Sequence, residues 1–224
     1  MKRISNIIKS LCTFLIFYYS NYLQYIPVML FNIKNITPKI RVLLSAFSTV
    51  ICLFILYFMY RDELRKEWKI FSKKKLECLN TGFIFWILGF IIMLSSNILI
   101  SVVFKGTGAG NEKIVQKMIT ALPLVMFIDA GIMAPFNEEI TFRKAFKNLF
   151  NNHKVLCVLL SGLVFGFLHV YGTANSLVDF LYIIPYGSFG ACFMIAYYKT
   201  NTFFTSYIFH TLHNVLLIGI SIII

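Results

Sequence analysis

The sequence has few charged residues. Charged residues make up 13% of the 224 residues, whereas apolar residues make up 58% and aromatic residues 17%. This balance is typical of a lipid-embedded helix bundle and not of a water-soluble domain. Because a helix needs about 20 mainly apolar residues to cross a bilayer, the chain has room for about six to eight crossings and for no separate soluble domain.

Acidic residues are scarce, with 9 Asp and Glu against 21 Lys and Arg, and the five cysteines are odd in number. The basic residues fall between apolar runs and do not form one contiguous face, so they indicate membrane topology and not nucleic-acid binding. The cysteines include no close metal-type pair, so we expect neither a zinc finger nor disulfides. The sequence also lacks a Gly-rich phosphate loop and an internal repeat.

Apolar runs separated by charged or Gly- and Asn-rich breaks predict an all-α fold. We expect a polytopic transmembrane helix bundle of about seven spans. The predicted spans are 10–31, 42–60, 79–104, 118–136, 155–171, 177–198 and 202–223.

The distribution of Lys and Arg predicts the orientation of these spans. With a cytoplasmic N-terminus, 15 of the 21 basic residues lie on the cytoplasmic side, most of them in the segments 61–77 and 143–154. This excess agrees with the positive-inside rule. We therefore expect a multi-pass protein of a cell membrane, with the lipid bilayer as a partner of the chain.

We divide the chain into N-terminal transmembrane helices, residues 1–110, and a C-terminal helix bundle, residues 111–224, within one integral membrane domain. The basic cytoplasmic segment 61–77 is partly amphipathic, and its apolar side chains Leu64, Trp68 and Phe71 are expected at the membrane interface. In the C-terminal bundle, small residues at helical spacing predict close packing of the fifth and sixth spans. They are Gly162, Gly166, Gly187 and Ala191.

Ionisable residues at membrane depth are the strongest functional signal in the chain. Each costs at least ~2.5 kcal/mol on insertion scales, so such residues are functional candidates. The fourth span leads into Glu138, Glu139 and Arg143. Glu139 and Arg143 are four residues apart and are expected to form an ion pair, whereas Glu138 points about 100° away on the helix. Glu138 is therefore the candidate general base.

Two later spans carry histidines in apolar surroundings. His169 follows Phe165 at four-residue spacing, and His210 precedes Asn214 at the same spacing. Measured from a turn expected near Asn151 and Asn152, Glu138 and His169 differ by only ~6 Å in depth at 1.5 Å per residue. His210 lies at a similar depth, so we expect these polar groups to converge in a cavity that opens toward the cytoplasm.

The ordered motifs Glu138-Glu139-x3-Arg143, Phe165-x3-His169 and His210-x3-Asn214 resemble those of the CPBP intramembrane protease family, also called the CAAX protease and bacteriocin-processing or Abi family. The resemblance covers residues 138–214 and therefore only the C-terminal bundle, 111–224. One departure is Lys144, where many members have glycine after the arginine.

The resemblance implies a glutamate-dependent endopeptidase whose site residues are Glu138, Glu139, His169, His210 and Asn214. In that scheme Glu138, assisted by His169, activates a water molecule, and His210 with Asn214 stabilises the oxyanion. Glu139 and Arg143 hold the helix and its charge pattern. No cofactor is expected. A zinc-dependent variant with Glu138, His169 and His210 as ligands is the alternative, although the sequence lacks the H-E-x-x-H motif.

The resemblance further implies a peptide or a membrane-protein substrate, such as a bacteriocin or pheromone precursor, or a role in self-immunity. The bias toward Ile, Phe, Asn and Lys favours a bacterial source and disfavours prenylated substrates. Two other classes remain open: a non-catalytic membrane scaffold or regulator that keeps the protease fold, and a transporter with a proton pathway through Asp129 and Asp179. We find no symmetry between the halves of the kind that transporters show.

Overall fold

The computed structural model describes residues 2–106, 108–150 and 153–223, and in these residues the chain is helical with no β-strand. The turn expected near Asn151 and Asn152 lies outside them. The α-helices are α1 (Lys2–Ser20), α2 (Tyr25–Leu30), α3 (Pro38–Lys73), α4 (Lys75–Phe104), α5 (Gly110–Ala121), α6 (Pro123–Ile128), α7 (Ala134–Glu139), α8 (Phe146–Leu149), α9 (Lys154–Val170), α10 (Ile183–Thr200) and α11 (Phe203–Ile223).

Short segments of other helix types join some of these α-helices. Two are 3₁₀ turns, at Asn21–Gln24 and Val178–Tyr182. Two are π-helical, and we name them the first π segment, Asp129–Met133, and the second π segment, Ile140–Ala145. Because both π segments connect α-helices without a break, residues 123–149 form one π-interrupted helix.

Four stretches of the described chain are long and apolar enough to cross a bilayer: α3, α4, Val178–Thr200 and α11. The apolar helix α9 is shorter, with 17 residues. The structure confirms the predicted all-α membrane bundle, whereas the number of spans is approximate. The predicted fourth span, 118–136, is divided because α5 ends at Ala121 and Pro123 starts α6, where a missing proline N–H costs no helical hydrogen bond.

The basic segments 61–77 and 143–154, which were predicted to be cytoplasmic, are partly helical. Helix α3 continues through the first of them to Lys73, and its 36 residues span about 54 Å, which exceeds the ~30 Å hydrocarbon core. Leu64 and Phe71 are buried in protein and do not lie on the interface, whereas Trp68 is exposed. In 143–154, residues 143–149 are helical, and the first two basic side chains are buried beside glutamates.

The chain forms two compact units. The first unit comprises the residues up to Arg65, Val115–Leu149 and the residues from His210 onward, and the second unit comprises Lys66–Ile114 and Phe150–Phe209. The predicted division at residue 110 stays a prediction.

The first unit is built around the π-interrupted helix. Helices α3, α5, α6 and α11 each contribute one residue to a buried apolar cluster, which consists of Val42, Ile119, Met126 and Ile218. Helix α1 packs on the second π segment, where the ring centroids of Phe17 and Phe142 lie 5.2 Å apart. The packing fixes the helix that carries the two glutamates.

In the second unit, α10 packs against α4 and α9. A Cβ atom added to Gly162 would lie 2.6 Å from the carbonyl oxygen of Gly187 and 3.1 Å from the Cβ atom of Ala191. A Cβ atom added to Gly166 would lie 2.5 Å from the carbonyl oxygen of Ile183. The predicted close approach of the fifth and sixth spans is therefore confirmed, and glycine is required where the two backbones meet.

Candidate active site

Glu138 and Glu139 end the short helix α7, which lies between the two π segments. Segments of π-helix are rare, and they are frequent at functional sites because they turn side chains away from the ordinary helical face. Pro135 contributes to the first π segment, since a proline cannot supply the regular helical hydrogen bond and distorts the turn before it. The glutamates are thus held on an irregular part of the π-interrupted helix.

Glu139 forms the ion pair with Arg143 that the four-residue spacing predicts. Its Oε1 atom lies 3.1 Å from Nη2 of Arg143, and both side chains are fully buried. Burial of two charges is costly, and their mutual attraction offsets that cost only when further hydrogen bonds satisfy the remaining donors and acceptors. Such a pair is more informative about positioning than about stability.

His210 lies between the two glutamates. Its Nδ1 atom is 3.0 Å from Oε1 of Glu139, and its Nε2 atom is 3.5 Å from Oε2 of Glu138. Glu138 is the most accessible of these groups, with 15% of its side chain exposed against 6% for His210 and none for Glu139. The structure therefore brings together three of the predicted site residues, and Glu138 is the one that water can reach.

The contact with Glu139 restricts the states of the His210 ring. A carboxylate oxygen that already faces Arg143 is an acceptor, so Nδ1 of His210 carries hydrogen and donates to it. In the neutral ring Nε2 is then an acceptor, whereas in the imidazolium both nitrogens donate. His210 can thus take a proton at Nε2 or give one from it, on the side that faces Glu138.

Asn214 lies one turn beyond His210 on α11. Its Nδ2 atom donates to the carbonyl oxygen of Ala130 over 2.9 Å. Close packing brings α11 to this point, since a Cβ atom added to Gly131 would lie 3.2 Å from Cγ2 of Val215. An amide nitrogen has two hydrogens, and the bond to Ala130 uses one of them.

His169 belongs to the second unit. Its Nδ1 atom is 2.8 Å from the carbonyl oxygen of Phe165, and its ring stacks on Tyr186 with centroids 4.8 Å apart. Because a carbonyl only accepts, Nδ1 donates, and Nε2 is left as the acceptor of the neutral ring. The predicted pairing of Phe165 and His169 on one helix face is confirmed. The convergence of His169 with Glu138 stays a prediction.

The two aspartates of the transporter interpretation have different surroundings. Asp179 accepts hydrogen bonds from the backbone N–H groups of Asn175 and Ser176 in an exposed turn, so it is a satisfied turn residue. Asp129 is buried, and its Oδ2 atom is 3.5 Å from the hydroxyl of Ser45. Its Oδ1 atom has no hydrogen-bond partner among the described residues.

The sequence analysis gave no role to a contact between the π-interrupted helix and α3. Lys144 in the second π segment is buried and lies 3.0 Å from Oε2 of Glu63 on α3. Many members of the family that the motifs resemble have glycine at the position of Lys144, and this difference could have pointed to an additional contact. No signal pointed to Glu63, because it lies in a segment full of charges.

The zinc-dependent alternative would need three side-chain donors close together. Among the residues that the structure describes, no group of three or more His, Cys, Asp and Glu side chains could hold a metal ion. The ring of His210 donates from Nδ1 to a glutamate that pairs with Arg143, so only its Nε2 atom could bind a metal ion. We therefore derive no step through a metal.

Comparison with protein families identifies the part of the chain that contains the site. Residues 120–216 match the family model described as type II CAAX prenyl endopeptidase Rce1-like. No curated protein and no solved structure matched the chain. The matched range includes all three motifs, from Glu138 to Asn214. Residues 120–216 therefore resemble the type II CAAX prenyl endopeptidases, which are membrane endopeptidases.

Proposed function

We propose that this protein is an intramembrane endopeptidase in which Glu138 activates the water that attacks the peptide bond. The observation that carries the proposal is the contact of His210 with both glutamates, 3.0 Å from Glu139 and 3.5 Å from Glu138. Glu138 is the partly exposed carboxylate, and a general base must reach both the water and a group that orders the site.

The reaction follows from these positions. Glu138 takes a proton from the water molecule as the water oxygen bonds to the carbonyl carbon of the substrate. Imidazolium His210, through Nε2, and Asn214, through its second amide hydrogen, donate to the oxyanion that forms. Glu138 then gives its proton to the amide nitrogen as the C–N bond breaks. We assign to His169 the role of assisting Glu138 through its Nε2 atom.

The Glu139–Arg143 pair supports this chemistry without taking part in bond changes. Its carboxylate accepts from Nδ1 of His210 and keeps the ring oriented. Its guanidinium offsets the second negative charge beside Glu138. A carboxylate at the Glu139 position is thereby retained in an apolar region.

For the substrate we propose a peptide or a membrane-associated protein, with bacteriocin or pheromone maturation or self-immunity as the biological setting. The composition of the chain supports a bacterial source. We also propose that the N-terminus is cytoplasmic. A reporter fused within residues 105–117 should then be located outside the cytoplasm. A reporter fused directly after Leu149 should be located in the cytoplasm.

The test compares membrane-peptide fragments from cells that carry the wild type, Glu138→Gln or Glu77→Gln. Glu77 is an exposed glutamate paired with Lys74, so its variant is the matched control for loss of a carboxylate. We expect the same fragments with the wild type and Glu77→Gln, and their loss with Glu138→Gln at equal membrane levels. Identical fragments with all three proteins would contradict the protease and favour the scaffold.

The metal-free mechanism has a separate test. The purified protein should keep its activity on an identified fragment precursor after treatment with a strong chelator. Loss of activity that added zinc restores would replace our mechanism with the zinc-dependent one.

A further inference from the structure

Lys144 is a buried cation on the helix that carries the candidate site. It lies in the second π segment, directly after Arg143, and only 3% of it is exposed. A buried lysine is tolerated when a carboxylate compensates its charge. Oε2 of Glu63 provides that charge at 3.0 Å from Nζ of Lys144.

Glu63 holds a second lysine with its other oxygen. Its Oε1 atom lies 2.6 Å from Nζ of Lys9 on α1. One carboxylate therefore links α1, α3 and the second π segment, and we name these three side chains the Lys9–Glu63–Lys144 triad. Short charge-assisted bonds of this kind are roughly twice as strong as neutral ones.

Further contacts reinforce the same junction. Tyr60, one turn before Glu63, is fully buried, and its hydroxyl is 2.9 Å from that of Thr13 on α1. Nζ of Lys9 lies 4.0 Å from the centre of the Tyr60 ring, in a cation–π contact. Phe14 on α1 packs edge-on against Phe146, with centroids 5.1 Å apart. Helix α1 is therefore held to α3 and, through Phe146, to the π-interrupted helix.

We propose that the Lys9–Glu63–Lys144 triad is a positioning device for the candidate active site. It fixes the rotation of the second π segment, and this segment carries Arg143, which holds Glu139 against His210. Two of its members lie outside residues 120–216, so the N-terminal helices complete a site that the family domain does not complete alone. The catalytic part of this inference rests on the proposed function.

The test measures the accessibility of His210 in the full-length protein in detergent. Diethyl pyrocarbonate modifies exposed imidazoles, and mass spectrometry follows each histidine separately. His153 is exposed and reports the reagent concentration. His213 lies one turn from His210 on α11 and is also buried, so it reports general loosening of that helix.

Two variants, Lys144→Met and Glu63→Gln, each remove one charge of the buried Lys144–Glu63 contact. A third, Lys9→Met, removes the more exposed of the two lysines and leaves that contact in place. Lys144→Arg keeps the charge. Glu77→Gln removes a carboxylate from an exposed pair and is the matched control.

In Lys144→Met and Glu63→Gln we expect diethyl pyrocarbonate to modify His210 several-fold faster than in the wild type, with His153 as the reference. The rate of His213 modification should stay unchanged. Lys9→Met should have a smaller effect, and Lys144→Arg and Glu77→Gln should match the wild type. Equal labelling of His210 in all variants would overturn the positioning role. A joint rise of His210 and His213 would overturn it too, because it indicates general loosening.

The same variants are assayed on a quenched fluorescent peptide built on a cleavage sequence found by the fragment comparison. If the triad positions the site, its loss lowers kcat several-fold and leaves KM unchanged. If the lower activity is fully explained by a smaller amount of folded enzyme, the positioning role is contradicted. If no fragment depends on Glu138 while His210 labelling still responds to the triad, only the proposed function fails.

Discussion

The side-chain amide of Asn214 donates to the carbonyl oxygen of Ala130 over 2.9 Å. At the end of the first π segment, the backbone N–H of Ala134 donates a hydrogen bond to the carbonyl oxygen of Asp129, five residues earlier. In the same pattern, the N–H of residue 135 would donate to the carbonyl oxygen of Ala130, but Pro135 has no N–H. Asn214 therefore supplies the donor that the proline removes, which matters because lipid offers no water to a free carbonyl.

This relationship predicts that the stability effect of Asn214 depends on residue 135. Asn214→Ala should lower the free energy of unfolding by about 1–3 kcal/mol, because the part-buried carbonyl of Ala130 loses its donor. In a Pro135→Ala background the loss should be much smaller, since the backbone N–H then reaches Ala130. Thermal unfolding of the four purified proteins in detergent measures the coupling.

The control for this cycle is Asn175→Ala, which removes an exposed amide that also donates to a backbone carbonyl. It should change stability little, with or without Pro135→Ala. If the effects of Asn214→Ala and Pro135→Ala simply add, the proline does not determine the role of Asn214.

The buried Glu139–Arg143 pair should show strong coupling as well. Glu139→Gln should destabilise the protein by about 3–5 kcal/mol, because it leaves a guanidinium in an apolar site without the facing charge. Adding Arg143→Met should recover a large part of that loss. Chemical unfolding of the single and double variants measures the effect.

Lys74 and Glu77 provide the contrast for the buried pair. They form an exposed ion pair at 3.1 Å, and substitution of Glu77 should leave stability nearly unchanged because water screens the charges. If Glu77→Gln and Glu139→Gln lowered the free energy of unfolding by similar amounts, burial would not determine how much an ion pair contributes to stability.

Contacts that follow from helical periodicity could be predicted from the sequence. The four-residue spacing of Glu139 and Arg143 gives their ion pair, and the small residues Gly162 and Ala191 give the close approach of α9 and α10. These predictions succeed because helical periodicity alone decides which side chains share a face. The apolar runs gave the fold class for the same reason.

Contacts that depend on irregular backbone could not be predicted. The regular period of 3.6 residues does not anticipate π segments, and the bond from Asn214 to Ala130 depends on one of them. The bond between Lys144 and Glu63 joins helices far apart in the chain, so no local pattern carries it. The seven-span count was approximate because prolines and 3₁₀ turns divide apolar runs that read as continuous.

The packing of α9 on α10 predicts a difference between two helical glycines. Gly162→Ala should destabilise the protein by about 1–3 kcal/mol, because its Cβ atom would lie 2.6 Å from the carbonyl oxygen of Gly187. Gly219→Ala, in α11, should have no cost or stabilise by ~0.5–1 kcal/mol, since nothing lies within 4 Å of its Cβ position. Thermal unfolding of both variants checks the contrast, and equal losses would contradict a close approach at Gly162.

Glu67 should stabilise the start of α11, the helix that carries His210. Its Oε2 atom accepts from the backbone N–H of Phe203 over 2.7 Å, and its Oε1 atom accepts from the hydroxyl of Tyr197 over 3.0 Å. The first N–H groups of a helix have no partner within it, and a carboxylate there also meets the positive end of the helix dipole. Glu67→Ala should therefore cost about 1–2 kcal/mol.

Hydrogen exchange locates this effect along the helix. In Glu67→Ala the amide of Phe203 and its neighbours in the first turn should exchange faster, whereas Tyr197→Phe, which removes only the hydroxyl donor, should change them less. The exchange of amides beyond Ser206 should stay as in the wild type. Uniformly faster exchange along α11 would instead mean that Glu67 supports the whole helix through packing, because a cap acts only on the first turn.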